Sequence, residues 1–227
     1  HNLTINAGAT LSNNSTLNIN AGGVVVNNGT YKGSGLYTGA LFNNSGGTVS
    51  PGNSPGCTTF GAGYTNGSGT ELIEIGGTTV CTQYDQLQVT GTATLSGTLN
   101  VVLFGGYTPN CGETYTIMTA TSVSGTFATV TYPALPAGLS WNIQYNATSV
   151  VLSITGNPVA TATPASQTIC SRTPITTIVL TSTVASTTYA CTRDNNATVT
   201  GIAPSGTGNI SGTLTNTANV PITVTFT

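Results

Sequence analysis

Residues 3–28 contain two copies of one segment in which apolar and polar side chains alternate. The first copy runs from Leu3 to Asn14 and the second from Leu17 to Asn28, an offset of 14 residues. Alternation with a period of two predicts β-strands that bury one face, and the Ala-Gly and Asn-Asn steps suit tight turns. A two-strand unit of this length cannot bury its own apolar face, so we expect stacked copies, as in a β-solenoid.

Pairs of asparagines recur along these segments, at Asn13-Asn14, Asn27-Asn28 and Asn43-Asn44. If the pairs stack at the corners of successive rungs, their amides would hydrogen-bond along the solenoid. Asparagine is also a good turn residue in its own right. The sequence leaves these two interpretations open.

The alternation returns after a turn-rich break at residues 45–56. The residues that repeat the apolar positions of the first segment, with a shorter middle, are Leu87, Val89, Ala93, Leu95, Leu99 and Val101. We therefore expect solenoid rungs over residues 1–102. Longer and more aromatic strands over 103–156 predict a β cap or small sandwich. The expected fold class is all-β.

The remaining residues have a different pattern. Residues 157–166 are rich in Pro, Thr and Ala and are interpreted as a linker. Short strand patterns follow over 167–227, and their spacing predicts a β-sandwich.

Composition excludes several functional classes. Charged residues make up 4% of the 227-residue chain, and the three basic ones, Lys32, Arg172 and Arg193, are too few to neutralise a nucleic-acid backbone. No apolar run approaches the length of about 18 residues that a membrane span needs, so none is predicted. So few charges also predict a stability that depends little on pH or salt.

The chain has five cysteines and one histidine, His1. No cysteines form a C-x-x-C pair, which argues against zinc or a Cys–His nucleophile and favours disulfides in an oxidising compartment. Cys57 and Cys81 flank the break and one rung, and we expect them to be bonded. Cys111 lies in a turn and would be a free thiol or form an interchain bond.

The acidic residues Glu71, Glu74 and Asp85 are the candidates for chemistry in the solenoid. Paired carboxylates can hydrolyse glycosidic bonds, but residues three apart on a strand point to opposite faces. We therefore expect no catalytic residues and no enzyme. Asp85 and Glu74 are weak candidates for calcium, which needs more oxygen ligands; otherwise Asp85 caps a turn and Glu74 faces solvent. No other metal or cofactor is expected.

Several motifs of the first 156 residues resemble a known class of bacterial surface protein. Val49–Gly56, Ile73–Thr79 and Tyr84–Leu87 resemble the solenoid-and-cap modules of autotransporter-like and haemagglutinin-like proteins. Leu135–Trp141 followed by Val150–Leu152 is similar to the end of those modules.

Residues 167–227 contain three further motifs, Gln167–Ser171, Thr192–Asn196 and Ile210–Leu214. These motifs resemble the PKD-like, Ig-like domains of giant repetitive surface proteins of the Bacteroidota. Cys191 stands where that pattern usually has tryptophan, which suggests a disulfide with Cys170. Such domains usually continue for another strand or two, so the resemblance implies a sandwich without its last strands.

The resemblance implies export, often by the type IX system, to the bacterial cell surface and a role as stalk or adhesin. We expect an extracellular structural protein that assembles head-to-tail through open β edges, its partner being a second copy or the rest of a longer chain. The alternative is a glycan- or calcium-binding adhesin module from a giant surface protein. Five tyrosines would either form a sugar-binding surface or pack between strands: Tyr31, Tyr37, Tyr64, Tyr84 and Tyr107.

Overall fold

The computed structural model describes residues 1–20, 22–184 and 187–227, and every helix or strand assigned in these ranges is a β-strand. The all-β prediction is therefore confirmed, and no described segment is a helix that could cross a membrane. The chain divides into two compact units, His1–Thr155 (unit 1) and Gly156–Thr227 (unit 2).

The strands of unit 1, with one residue of the last extending into unit 2, are β1 (Leu3–Ile5), β2 (Thr10–Ser12), β3 (Thr16–Asn18), β4 (Val24–Asn27), β5 (Thr30–Gly33), β6 (Leu36–Thr38), β7 (Leu41–Asn44), β8 (Thr48–Pro51), β9 (Cys57–Phe60), β10 (Gly63–Asn66), β11 (Thr70–Ile75), β12 (Gln86–Val89), β13 (Thr92–Leu95), β14 (Thr98–Leu103), β15 (Thr114–Thr119), β16 (Ser122–Gly125), β17 (Thr129–Thr131), β18 (Leu139–Tyr145) and β19 (Ser149–Gly156). Those of unit 2 are β20 (Ala160–Thr163), β21 (Val179–Ser182), β22 (Ala190–Thr192), β23 (Val199–Thr200), β24 (Ser205–Thr207) and β25 (Thr215–Asn216).

Unit 1 winds through three sheets in turn. The first has the order β1-β4-β7-β10-β13-β16, the second β2-β5-β8-β11-β14-β17, and the third β3-β6-β9-β12-β15-β19-β18. Neighbours from β1 to β17 pair in parallel. Each circuit of three strands is one rung, and stacking the rungs gives the arrangement of a β-solenoid.

The solenoid core follows from the alternation along each strand. Strands such as β8, β9 and β11 alternate half-buried and fully buried residues, so every second side chain points inward. Aromatic side chains stack between rungs: the ring centroids of Phe42 and Phe60 are 4.4 Å apart, and those of Phe60 and Tyr64 are 5.2 Å apart. Burial of these rings supplies much of the stabilisation of unit 1.

The 14-residue repeat is not the spacing between rungs. Leu3 in β1 pairs with Val25 in β4, while Leu17 in β3 pairs with Tyr37 in β6. The repeat relates β1 to β3 and β2 to β4, and the strands of each related pair belong to different sheets. The two-strand unit was therefore the wrong prediction: each rung contains three strands, so the second copy holds the last strand of one rung and the first strand of the next.

The rungs extend further along the chain than the alternation predicted. β8 lies within the predicted break, and β15, β16 and β17 add a strand to each of the three sheets beyond residue 102. The third sheet then changes direction, since β19 pairs with β15 in antiparallel fashion. The region interpreted as a cap thus combines continued rungs with an antiparallel end.

Unit 2 contains three separate antiparallel pairs: β20 with β21, β22 with β24, and β23 with β25. β20 lies inside the segment interpreted as a linker. The buried apolar side chains described in this unit are Ile175, Val199 and Ile210. So small a buried set contrasts with the filled interior of unit 1.

Candidate functional site

A disulfide joins the third rung of the solenoid, β7–β9, to the fourth, β10–β12. Cys57 begins β9, and Cys81 lies in the loop between β11 and β12; the two form a disulfide with Cα atoms 4.7 Å apart. This pairing is the one that the sequence predicts. In the same loop, the amide of Cys81 donates to the Tyr84 carbonyl at 2.9 Å, and the Tyr84 side chain is buried. The loop is therefore held against the solenoid by both covalent and packing contacts.

The Asp85 carboxylate links two loop regions of the solenoid by hydrogen bonds to the backbone at Gly56 and Glu74. Its Oδ1 accepts from the amide of Gly56 at 2.6 Å, and its Oδ2 accepts from the amide of Glu74 at 2.9 Å. The side chain is fully buried, and this burial raises the pKa of Asp85 to about 7 although both amide donors favour the charged form. On the surface beside it, Glu74 Oε2 accepts from Ser54 Oγ at 2.5 Å.

These contacts bear on the calcium candidates. Asp85 and Glu74 do lie next to each other, but both Asp85 oxygens point at backbone amides, whose positive ends would compete with a cation. Among the residues that the structure describes, no three His, Cys, Asp or Glu side chains are grouped to hold a metal. The geometry gives Asp85 a structural role at the loop corners.

Glu71 lies inside the solenoid. It is 0% exposed, and its rung neighbours are Val49 and Leu99. Desolvation raises the pKa of Glu71 to about 8, the nearby Tyr64 hydroxyl opposes the rise, and the charge of Asp85 adds to it. Glu74, three residues later, is half-buried on the outer face, as strand alternation predicts. Glu71 therefore keeps its proton at neutral pH and is out of reach of a dissolved substrate.

Glu71 is one of several buried polar residues that lack hydrogen-bond partners in the described part of the chain. Within the described ranges, both of its carboxyl oxygens, the Tyr64 hydroxyl and Asn66 Nδ2 are buried and lack a hydrogen bond of good geometry. Sequence reasoning did not identify these groups. The signal available in the sequence was strand alternation: Glu71 shares the inward face of β11 with Ile73 and Ile75, which are both fully buried.

Three asparagines stack at the corner between the first and second sheets. Asn27 Nδ2 donates to Asn44 Oδ1 at 2.9 Å, and Asn44 Nδ2 donates to Asn66 Oδ1 at 2.8 Å. Asn13 instead lies at another corner, where its amide donates to the Tyr31 hydroxyl at 2.8 Å. The ladder interpretation is thus confirmed for Asn27 and Asn44, and the structure adds Asn66, which is paired in sequence with glycine rather than a second asparagine.

The ladder requires a small residue in the next rung. At Gly69, an added Cβ would lie 2.3 Å from Asn44 Nδ2. The same amide nitrogen also donates to the Thr70 carbonyl at 3.1 Å. Close approach of the backbone is what lets each amide reach both its neighbouring amide and a carbonyl.

We expect Asn44→Ala to lower the free energy of unfolding by about 2 kcal/mol, because it leaves Asn66 Oδ1 and the Thr70 carbonyl without their buried donor. Asn43→Ala is the matched control, since that side chain is half-exposed in the same strand and should change stability by less than about 0.5 kcal/mol. Urea unfolding of both variants measures the difference. Equal losses would show that the amide ladder contributes nothing beyond turn propensity.

One end of the solenoid presents three edge strands. β1, β2 and β3 each pair on one side only, with β4, β5 and β6, and no described strand pairs with their outer edges. Unpaired edges expose rows of amide and carbonyl groups that are templates for further pairing. Charged side chains that commonly block such edges are absent from Asn2–Tyr31. This surface is suited to association through β-strand pairing.

Unit 2 contains an open cavity of about 780 Å³ with a mixed polar and apolar lining. Ile175, Ile178, Leu180, Val199 and Ile210 are among the residues that line it, and none of the lining side chains is charged. Protein interiors are normally close-packed, with few voids larger than a water molecule. A cavity of this size in a 72-residue unit is therefore a candidate binding site for an apolar segment.

Cys170 and Cys191 both line this cavity as free thiols. The disulfide expected between them is absent and that prediction is wrong. Cys170 is exposed just before a turn, whereas Cys191 lies in β22, where its Sγ donates to the Gly206 carbonyl at 3.6 Å. The strand pairing of β22 with β24 directs the Cys191 side chain to this neighbour.

Cys111 is also a free, exposed thiol. Beside it, Glu113 Oε2 accepts from the hydroxyls of Tyr107 and Tyr115, both at 2.6 Å, and from the Asn110 amide at 3.0 Å. Although desolvation acts in the opposite direction, these donors lower the pKa of Glu113 to about 2. The carboxylate thus shapes the loop that presents Cys111, which remains available for an interchain bond.

The tyrosines proposed as a sugar-binding surface are largely internal. Four of them are buried in the solenoid, namely Tyr31, Tyr37, Tyr64 and Tyr84. Tyr107 is partly buried and is held by Glu113. Packing between strands is therefore the role of these four tyrosines, which expose no aromatic face on which a sugar could stack.

No protein-family model matches the sequence, and no curated protein matches it at a significant level.

Proposed function

We propose that the chain is a non-enzymatic structural protein of the bacterial cell surface, a stalk or the subunit of a filament that assembles head-to-tail. The observation that carries this proposal is the set of three unpaired edge strands, β1–β3, at one end of a parallel solenoid. Edges of this kind either continue into further rungs or pair with another molecule. A contact between different surfaces of identical subunits forms filaments when it does not close into a ring.

Other features support an extracellular location. The Cys57–Cys81 disulfide is of a kind that persists in oxidising compartments. Unit 2, with its antiparallel strand pairs and incompletely filled interior, fits the PKD-like, Ig-like interpretation of residues 167–227 and a sandwich that receives a strand from elsewhere. Resemblance of the motifs to giant bacterial surface proteins adds the type IX export route to the proposal.

The buried carboxyls and tyrosines give little support to the alternative of a glycan- or calcium-binding adhesin module. Asp85 is occupied by backbone amides, Glu71 is enclosed, and the tyrosines pack in the core. A structural role is compatible with the buried positions of these residues, because it requires only a stable solenoid with free edges.

Negative-stain electron microscopy of the purified full chain tests the proposal. Uniform fibres with a short axial repeat are expected, and separate particles at all concentrations would contradict self-assembly. A variant carrying Thr4→Lys, Thr10→Lys and Thr16→Lys places charges on the exposed faces of β1, β2 and β3 and should form few fibres. The matched control, Thr92→Lys, Thr94→Lys and Thr114→Lys, adds the same charge to exposed positions of internal strands and should assemble normally.

A further inference from the structure

Two long runs of consecutive residues line the cavity of unit 2. All residues from Pro164 to Ser171, and all from Pro221 to Thr227, line it. Two consecutive runs of lining residues indicate that the cavity is a long slot rather than a round hole. At about 3.3 Å per residue, a fully extended run of seven residues would span up to roughly 23 Å.

The second flank of the cavity, Pro221–Thr227, is hydrogen-bonded to the rest of unit 2 along one edge only. Thr225 and Thr227 exchange hydrogen bonds with residues 192–194: the Thr225 carbonyl accepts from the Asp194 amide at 3.1 Å, and the Thr227 amide donates to the Thr192 carbonyl at 2.9 Å. Within the described part of the chain, the amides and carbonyls of Val224 and Phe226, which alternate with Thr225 and Thr227, have no partner. Alternation of this kind is the pattern of a strand paired on one side only.

The first flank of the cavity, Pro164–Ser171, makes fewer backbone hydrogen bonds than the second. Among the described residues, no backbone amide from Ala165 to Ser171 donates a hydrogen bond, and only the Cys170 carbonyl accepts one, from Thr173. Most of these residues are exposed, so their unpaired backbone groups are accessible to an incoming strand. An inserted strand would satisfy both flanks and place alternate side chains against Ile175, Val199 and Ile210.

We propose, on the basis of the filament function above, that this slot receives the segment Asn2–Ala7 of a second copy of the chain. Leu3, Ile5 and Ala7 occupy alternate positions in that segment, as packing one face of a strand against the apolar residues of the slot requires. No charged residue lines the slot, and none occurs between Asn2 and Tyr31. An uncharged segment can therefore enter without burying an unpaired charge.

β1 is also well placed to exchange partners. It pairs only with β4, through Leu3, Thr4 and Ile5, and no described strand covers its other edge. β3 carries a similar alternation but lies between β2 and β4 along the chain, so its release would loosen two further strands. Donation of β1 gives up one row of hydrogen bonds and the burial of Ile5 in its own rung, and gains two rows of hydrogen bonds and renewed burial of the same side chain in the acceptor slot.

The thiols in the slot provide a direct test. In the full chain with Cys111→Ser, Leu3→Cys should form disulfide-linked oligomers with Cys170 or Cys191 of the next copy under mild oxidation, since the slot contains both thiols. Thr4→Cys is the control, because its side chain points to the opposite face of the strand. We expect at least five-fold more linked species for Leu3→Cys on a non-reducing gel, and none after Cys170→Ser and Cys191→Ser are added.

The same samples, viewed by electron microscopy, separate this inference from the proposed function. Fibres that form without the Leu3-specific crosslink would overturn the slot but leave the filament function standing. Crosslinked oligomers without fibres would support the slot and contradict the filament. Absence of both would reject both.

A backbone variant gives an independent check. Val224→Pro removes an amide that has no partner in the described residues, so unit 2 should fold normally while the slot loses one donor for the inserted strand. Val224→Ala keeps the amide and serves as the matched control. We expect Val224→Pro to reduce fibre formation at least five-fold relative to Val224→Ala, and equal assembly by the two would argue against strand insertion at this edge.

Discussion

Replacing Glu71 with glutamine is expected to increase the free energy of unfolding at pH 9 and to leave it almost unchanged at pH 4. The unfolded chain releases the Glu71 proton near pH 4.5, whereas the folded chain holds it to about pH 8. The folded form therefore loses stability relative to the unfolded one as pH rises through this interval, and none of the loss is present below pH 4.5. At about 1.36 kcal/mol per pH unit, the full effect is up to about 5 kcal/mol.

Glutamine removes the titration while keeping the shape of the side chain. Urea unfolding at pH 4, 6 and 9 should show a growing difference between the natural chain and Glu71→Gln. Glu74→Gln is the control, because that carboxylate is half-buried on the outer face of the same strand. Asp85 titrates in the same direction, with its pKa raised to about 7, so part of the pH dependence should remain in the Glu71 variant. A pH-independent difference would mean that Glu71 is not enclosed as the structure has it.

Loss of the Cys57–Cys81 disulfide is expected to lower the free energy of unfolding of the solenoid by about 3 kcal/mol, because a loop of 24 residues gains conformational freedom in the unfolded chain. The double variant Cys57→Ser, Cys81→Ser should show this loss in urea unfolding without added reductant. The natural chain should show it when dithiothreitol is present.

Cys111→Ser provides the control for the loss of a cysteine, since that thiol is free and exposed. Its unfolding midpoint should be the same as that of the natural chain in reducing and oxidising buffer. If the double variant also unfolded at the natural midpoint, the loop contacts of Tyr84 and Asp85 alone would account for the stability of this corner.

Charge content proved a poor guide to pH dependence. With so few charged residues, the sequence predicts a stability nearly independent of pH. The structure points the other way for three of the five acids, since burial raises the pKa of Glu71 and Asp85 while donors lower that of Glu113. The environment of a carboxyl, rather than the number of carboxyls, sets its contribution to the pH dependence of folding.

Local pattern was enough to predict strands, their inward faces and the solenoid class. Alternation along residues 3–28 predicted strands with one buried face, and the chain indeed buries Ile5 and Val25 on such faces. The Cys57–Cys81 bond also followed from position, because both residues flank one rung. These features depend on short-range periodicity, which the sequence displays directly.

Only the tertiary structure decided which residues meet between rungs. The rung length depends on where corners fall, so the 14-residue repeat suggested two strands where each rung has three. Addition of Asn66 to the ladder, enclosure of Glu71 and placement of Cys170 and Cys191 around an open slot all arise from pairing between residues distant in sequence. Stacking register is a property of the assembled sheets, and a single strand carries no record of its neighbours.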